Sequence, residues 1–580
     1  MGRLIWAFTF TLVVAVWSDR ASSQPAPGAA PGSTSGPPLT YADQGWTPAD
    51  RQAFYTTSQG SRLIPYEWFK ALRRPSSDEL FGVDGLKRYG YLANEYATNN
   101  LPIGFVVDTR AQPNQLGMTC AACHTGQLEY KKQNVTYALR LDGAPAHADF
   151  QLFLTDLREA ARETSAQPQR FEAFAKAVLG PGYSSPKAAE LKVLFDAWTK
   201  QFGDFMDKSL PQASWGPGRL DAFNMIFNRV AARDLDQPQN FVVADAPVSY
   251  PFLWNASKQD RTQWNGAVDN GLFIHALGRN TGEVLGVFAQ FGPKRVGPPF
   301  GIPLILYGDH SADLDGLQKL EEKIAALKPP PWPFELKPEL AAAGEKLFEK
   351  HCSSCHAETE SSVVPNAWAT PIQVVGTDPK MAKNAASRTS DTGLLSGSLL
   401  PRPPGARLGD RGKTGDILAN SVVGILLDGA LKGEPALQRA VALDFQKLQL
   451  GDPDLLKVGG FVKENLGGLF RKPSAAGEGA YEARVLYGIW ATAPYLHNGS
   501  VPNLWELLTP PKDRKTTFEV GSVLFDQKNV GFATDESPFA KGDFTVDPTN
   551  SNGNGNAGHA YGTDLSEADR WALIEYLKKL

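Results

Sequence analysis

Cys120, Cys123 and His124 stand in the order Cys-Ala-Ala-Cys-His, and Cys352, Cys355 and His356 repeat it as Cys-Ser-Ser-Cys-His. Two thiols with two residues between them span one short turn, and the histidine that follows presents an imidazole beside them. This spacing suits thioether addition of both thiols to the vinyl groups of a porphyrin, with the histidine beneath the iron. A redox Cys-x-x-Cys pair is the plainer reading of a single copy. Two copies that consume all four cysteines of a 580-residue chain instead point to two covalently bound haem c groups, each with an iron held by His124 or His356.

The axial position opposite each histidine decides what such a group does. A second protein ligand makes an electron-transfer site, and an open position binds oxygen or peroxide. Only five methionines are present. Met1 lies in the leader, Met118 is too near Cys120 to reach across a ring, and Met206, Met225 and Met381 sit in no evident ligand loop. His559 ends a Gly/Asn-rich stretch, residues 551–559, seven positions before Ser566, where a loop can curl over a porphyrin face. It is the expected distal ligand of the second haem, with His497 as the alternative. His351 adjoins Cys352 and reads as a surface residue. His147 and His275 carry no clear ligand signal, so an open iron is expected above His124.

The elements that must position these groups read as mainly α: two cytochrome c-like haem domains with long loop-rich insertions and little β. Residues 1–23 have Arg3, an apolar run and small residues before Gln24, the pattern of an export signal peptide. Residues 24–40 form a Pro/Gly-rich flexible leader, and 41–328 an enlarged, remodelled N-terminal haem domain. Residues 329–337, with Pro-Pro-Pro-Trp-Pro-Phe, read as a Pro-rich hinge, and 338–580 as the C-terminal cytochrome c domain. Helical patterns cover much of 47–72, 150–206 and 338–350, and the chain closes on an amphipathic helix at 566–580. Residues 99–118, before the first motif, read as loop, and 246–300 as short Gly/Asn-punctuated turns. No stretch after the leader reaches the length of apolar residues that spans a bilayer. The formal net charge of −4 argues against a nucleic-acid partner or a polybasic membrane patch. No Ser/His/Asp triad or phosphate-binding loop rises above background.

The two CxxCH motifs, the Ala-Pro-Tyr-Leu-His-Asn-Gly stretch at 493–499 and the closing helix resemble the bacterial di-haem peroxidase superfamily. Pro-Phe-Leu-Trp at 251–254, Gln-Trp-Asn-Gly at 263–266, Arg-Asn-Thr-Gly-Glu-Val-Leu-Gly-Val-Phe at 279–288 and Gly558-His559 narrow the resemblance to its rubber-oxygenase-like branch. Those are periplasmic or secreted cytochromes that cleave polyisoprene double bonds with dioxygen. The resemblance implies a catalytic N-terminal haem on His124 and a bis-His haem on His356 and His559. It also implies aromatic residues near the oxygen site, for which Phe252, Trp254 and Trp264 are the local candidates.

Three functions follow as expectations. An oxygenase would use O2 on a small or polymeric apolar alkene. A peroxidase would use H2O2 and need a residue to move its proton, for which Glu283 is the candidate. A non-enzymatic periplasmic carrier would need protein ligands on both faces of both irons. A periplasmic electron-donor protein is an expected partner; a nucleic acid and stable membrane insertion are not. Nothing in the sequence assigns a calcium ion between the haem regions.

Overall fold

The computed structural model describes residues 36–295, 305–359, 367–400, 406–448, 480–534, 544–549 and 553–580. The expected signal peptide and most of the leader lie outside them. The first motif is built into β-structure. Strands Phe105–Asp108 and Gln115–Met118 pair antiparallel, which corrects the expectation of a loop across 99–118. Phe105, Leu116 and Met118 turn into an aromatic core and cover the strands' apolar face. Directly after the motif, strands Thr125–Lys132 and Val135–Asp142 run antiparallel over their full length.

Helices Phe150–Ala166, Pro168–Leu179 and Ser185–Ser209 follow. Their inward residues Phe153, Leu157, Phe174 and Phe195 are fully or almost fully buried. The 3.6-residue period of the sequence is thus realised as one packed helical layer.

Residues 246–300 depart further from expectation. Instead of turns throughout, they contain the helix Phe273–Gly286, with Glu283 in its last turn. Its glycines and β-branched residues are poor helix formers, but all but two of its 14 residues are buried. The Asp444 carboxylate also accepts from the backbone N–H of Phe273 and Ile274 at 2.7 and 2.9 Å, satisfying two of the first-turn donors. Packing overrides propensity here.

In the C-terminal half, helix Pro338–His351 leads into Cys352 and crosses the closing helix Glu567–Lys579. Ser566 caps the latter, accepting from Asp569 N–H at 3.2 Å. The crossing is close because of Gly344, where a Cβ would lie 1.9 Å from the Ala572 carbonyl oxygen. Helix Thr414–Lys432 is long and apolar enough to cross a membrane, contrary to the expectation that no later segment is, and 67% of its apolar window is buried within the fold.

Residues 38–580 cluster as one compact unit. One core joins Trp46, Phe54 and Phe252 to Trp490, Leu573 and Leu577, and so draws on both sides of the Pro-rich segment. That segment is itself anchored: Trp490 Nε1 donates to the Pro330 carbonyl at 2.9 Å, and Trp332 meets Trp490 edge-on. Helices predominate, and the strands are short and scattered over nine small sheets among the described residues.

Candidate functional site

At the first motif, Cys120–Ala122 form a single 3-10 turn. The turn is clamped from several sides. Thr119 N–H donates to Gly104 O at 2.7 Å, Gly143 N–H to His124 O at 2.9 Å, and Ala146 N–H to Cys123 O at 2.9 Å. Gly104 adopts φ +77°, and a Cβ there would fall 2.0 Å from Ala122 N, so the hairpin backbone lies directly on the turn. His124 Nδ1 is 2.9 Å from the Pro251 carbonyl. A carbonyl only accepts, so Nδ1 carries the proton and Nε2 keeps its lone pair for a metal. Burial pushes His124 down to about 4, which keeps it in the neutral, ligating form.

The second motif repeats this logic on helices. Residues Ser353–His356 form one helical turn after the leading helix. His356 Nδ1 donates to the Arg484 carbonyl at 2.6 Å, again leaving Nε2 available. Facing it is His559, with ring centroids 6.3 Å apart. A metal held by two imidazole nitrogens lies about 2.0–2.1 Å from each, which sets their ring centres roughly 6 Å apart. Burial, with the charges of His356 and Arg514, pushes His559 down to about 4, so this ring too is neutral at pH 7.

Both histidines line a cleft enclosing about 1440 Å³, its open mouth included, walled by Cys352, Cys355 and the side chains of Leu486, Ile489, Leu504 and Leu573. Two thiols, two neutral imidazoles and an apolar wall are the donor set and shape that a haem c requires. Among the described residues no group of three or more His, Cys, Asp or Glu side chains converges as a metal site of its own.

Three residues hold His559 in place, of which Arg514 carries no signal in the sequence and Asn498 and Gly558 stand only within motif stretches. Arg514 is 5% exposed, and its guanidinium donates to the carbonyls of Asn556, Gly558 and His559. Asn498 Nδ2 donates to Gly553 O and Gly555 O, both at 2.9 Å. Gly558 has φ +77°, and a Cβ there would sit 2.2 Å from the Gly376 carbonyl carbon. The Ala-Pro-Tyr-Leu-His-Asn-Gly stretch thus supplies a clamp through its asparagine. Its histidine, His497, stacks on Tyr481 at 3.9 Å rather than opposing His356. His351, expected at the surface, is half-buried and lines the cleft.

The other candidates separate into two groups. Phe252 and Trp264 line the same cleft as His356, and the Arg484 guanidinium lies 5.2 Å from each ring centre. Trp254 is fully buried, stacks on Phe252 at 4.9 Å and donates from Nε1 to the Tyr487 carbonyl at 2.7 Å, a packing role. Glu283 accepts from Gln263 Nε2 at 2.9 Å and lies 3.9 Å from Arg279. It faces a small crevice shared with Arg279 and Gln263, and burial raises its pKa.

The three remaining histidines have partners elsewhere, and His310 Nε2 lies 3.9 Å from Asp428. His275 Nδ1 bonds the Asn270 carbonyl at 3.0 Å, and His147 packs edge-on against Phe532. The ring that comes nearest His124 is Tyr250, 6.1 Å away. Among the described residues no imidazole stands to His124 as His559 stands to His356. Met206, Met225 and Met381 are all buried core residues.

Residues 341–396 match the family model described as cytochrome c, and residues 480–519 match one described as RoxA-like, cytochrome c-like. The first contains the second CxxCH motif, and the second contains Arg484, His497, Asn498 and Arg514. Uncharacterized protein y4iM of Sinorhizobium fredii is 25% identical over 328 residues, 57% of this chain and 59% of that one. Uncharacterized protein y4iJ of the same organism is 31% identical over 603 residues, 93% of each chain. The chain therefore belongs to the family of y4iJ and is a c-type cytochrome with RoxA-like features, built for covalent haem c and haem-dependent redox chemistry.

Proposed function

We propose that this protein is an exported di-haem oxidoreductase in which the His124 site activates O2 to cleave an apolar alkene and the His356 site carries or stores an electron. The asymmetry of the two sites carries this reading. His356 has His559 across from it at 6.3 Å, whereas His124 has no such partner among the described residues. A haem held on His124 alone would supply O2 binding and activation, and one held by His356 and His559 would supply outer-sphere electron transfer.

The chain's own residues do the rest. Pro251 O orients His124 and fixes its tautomer, and the paired strands around the motif hold the CxxCH turn in place. The buried Tyr250 ring, 6.1 Å from that of His124, gives the site an aromatic neighbour that suits an alkene. Export to the periplasm or beyond the cell follows from the leader, and a periplasmic donor protein is the expected source of electrons.

A peroxidase is the second reading, and Glu283 favours it. A carboxyl with a raised pKa beside Arg279 is equipped to take a proton from H2O2 and return it to the departing oxygen.

CO titration of the reduced holoprotein tests the asymmetry. One equivalent of CO per two haems supports an enzyme with one open iron, and no CO binding would leave an electron carrier. Product analysis with an alkene under O2, against turnover of H2O2 with a reduced donor, then separates the two enzymes. A Glu283→Gln variant that loses peroxide turnover selects the second.

A further inference from the structure

The two proximal histidines are not separate in this fold. His356 Nδ1 donates to the backbone carbonyl of Arg484 at 2.6 Å. The guanidinium of the same residue donates from Nη1 to the Phe252 carbonyl at 3.3 Å. The adjoining residue, Pro251, provides the carbonyl that accepts from His124 Nδ1 at 2.9 Å. Arg484 is 5% exposed, and its charge is held between the faces of Phe252 and Trp264. Its nearest anionic partner is Glu482 Oε2, 3.3 Å from Nε.

We propose that Arg484 is a shared tuning residue, one buried side chain whose charge sets the reduction potentials of both CxxCH sites together. This rests on the two-haem reading above.

The physics is that of a cation in a poorly polarisable interior. Oxidation at either site would add a positive charge beyond an imidazole whose acceptor is either the Arg484 carbonyl or the carbonyl of Pro251, the residue before the one Arg484 bonds. A buried guanidinium opposes that addition at both places and so favours both reduced forms. Partners of metal-bound histidines alter ligand basicity, and here one residue supplies the acceptor of His356 and contacts Phe252, the residue next to the acceptor of His124. The aromatic faces keep the charge in position and out of water. Arg484 does not act on substrate; it acts through His124 and His356.

The test is a spectroelectrochemical titration of the holoprotein and of Arg484→Gln and Arg484→Lys variants, with haem counted per chain by haemochrome absorbance. Arg484→Gln removes the charge. Both midpoints are expected to fall, each by at least tenfold in the reduction equilibrium, equivalent to 59 mV for a one-electron couple. Arg484→Lys keeps the charge, and both midpoints are expected to stay within threefold of the unmodified protein.

The proposal is overturned if Arg484→Gln moves only the site on His356, or neither. It is also overturned if Arg484→Lys shifts either midpoint tenfold despite its charge, a result readable even if the glutamine variant does not fold. One haem per chain in the unmodified protein would instead refute the two-haem reading, so the two failures are distinct.

Discussion

Replacing Gly558 by alanine should release His559, and the structure supplies its own control. Gly558 and Gly376 have nearly the same backbone, φ +77° and +74°, and lie against each other. An alanine in the left-handed region costs about 1–2 kcal/mol at either position. The space around them differs. At Gly558 the new Cβ would be 2.2 Å from the Gly376 carbonyl carbon and 2.4 Å from its oxygen and from Thr377 N; at Gly376 the nearest atom is Gly558 Cα at 3.6 Å. The first is a collision with backbone, which adds about 1–3 kcal/mol; the second is ordinary contact. Gly558→Ala therefore costs about 2–5 kcal/mol, enough to weaken the hold on His559 by roughly 30- to several thousand-fold if the loop gives way. Gly376→Ala should cost only the backbone part. Purified holoproteins would be compared by EPR and by CO difference spectra. Gly558→Ala is expected to lose a low-spin signal and bind an additional CO, and Gly376→Ala to do neither. If both variants behave alike, or if Gly558→Ala stays fully low-spin, the steric argument fails.

Arg514→Gln removes charged donors to three carbonyls of the His559 loop. Charge-assisted bonds are worth about 1.5–3 kcal/mol each, so the variant should show partial high-spin character and a lower melting temperature by calorimetry. Arg279 and Glu321 form a buried ion pair at 2.7 Å that Asn280 also joins; Glu321→Ala should destabilise the fold by up to about 3–5 kcal/mol in urea unfolding, because it leaves buried Arg279 with only the longer 3.9 Å ionic contact to Glu283 among the described residues. Burial raises Asp444 to about 6 from 3.8. The folded state then holds this proton more tightly, so the group's contribution to stability is greatest below about pH 4, falls between pH 4 and 6, and is level above. Asp444→Asn should flatten that slope, a change of up to about 3 kcal/mol across the window, and an unaltered slope in urea melts at pH 4, 5 and 6 would refute it.

The parts of this site that were legible in the sequence are those written in contiguous residues. Both CxxCH turns, the helix before Cys352, the Ser566-capped closing helix and the Gly/Asn run ending at His559 each carry their meaning in spacing, because covalent attachment and helix geometry act over a few residues. The errors fall where burial decides. Residues 273–286 hold glycines, threonine and asparagine that read as turns, yet they form a helix because Asp444, 171 positions from Phe273, caps it and the core encloses it. Residues 99–118 read as loop because Pro102, Pro113 and Gly117 dominate the local signal, whereas the hairpin there is secured by pairing with distant Ile64 and by Gly104 lying on the first CxxCH turn.

The same distinction separates ligands from the residues that make them ligands. His559 announces itself by its loop, but its position depends on Arg514 and Asn498, 45 and 61 residues away. Their local sequence says only that one is basic and the other lies beside a histidine. That histidine, His497, drew attention as a metal-ligating type, while its neighbour Asn498 does the structural work with two carbonyl contacts at 2.9 Å. A buried amide or guanidinium facing several carbonyls has no signature in composition or period, because its partners are backbone atoms that every residue carries. The geometry of the His356–His559 pair thus rests on groups that only the folded chain identifies, and substitutions at Asn498 and Arg514 should disturb the second site without touching any residue that binds the cofactor.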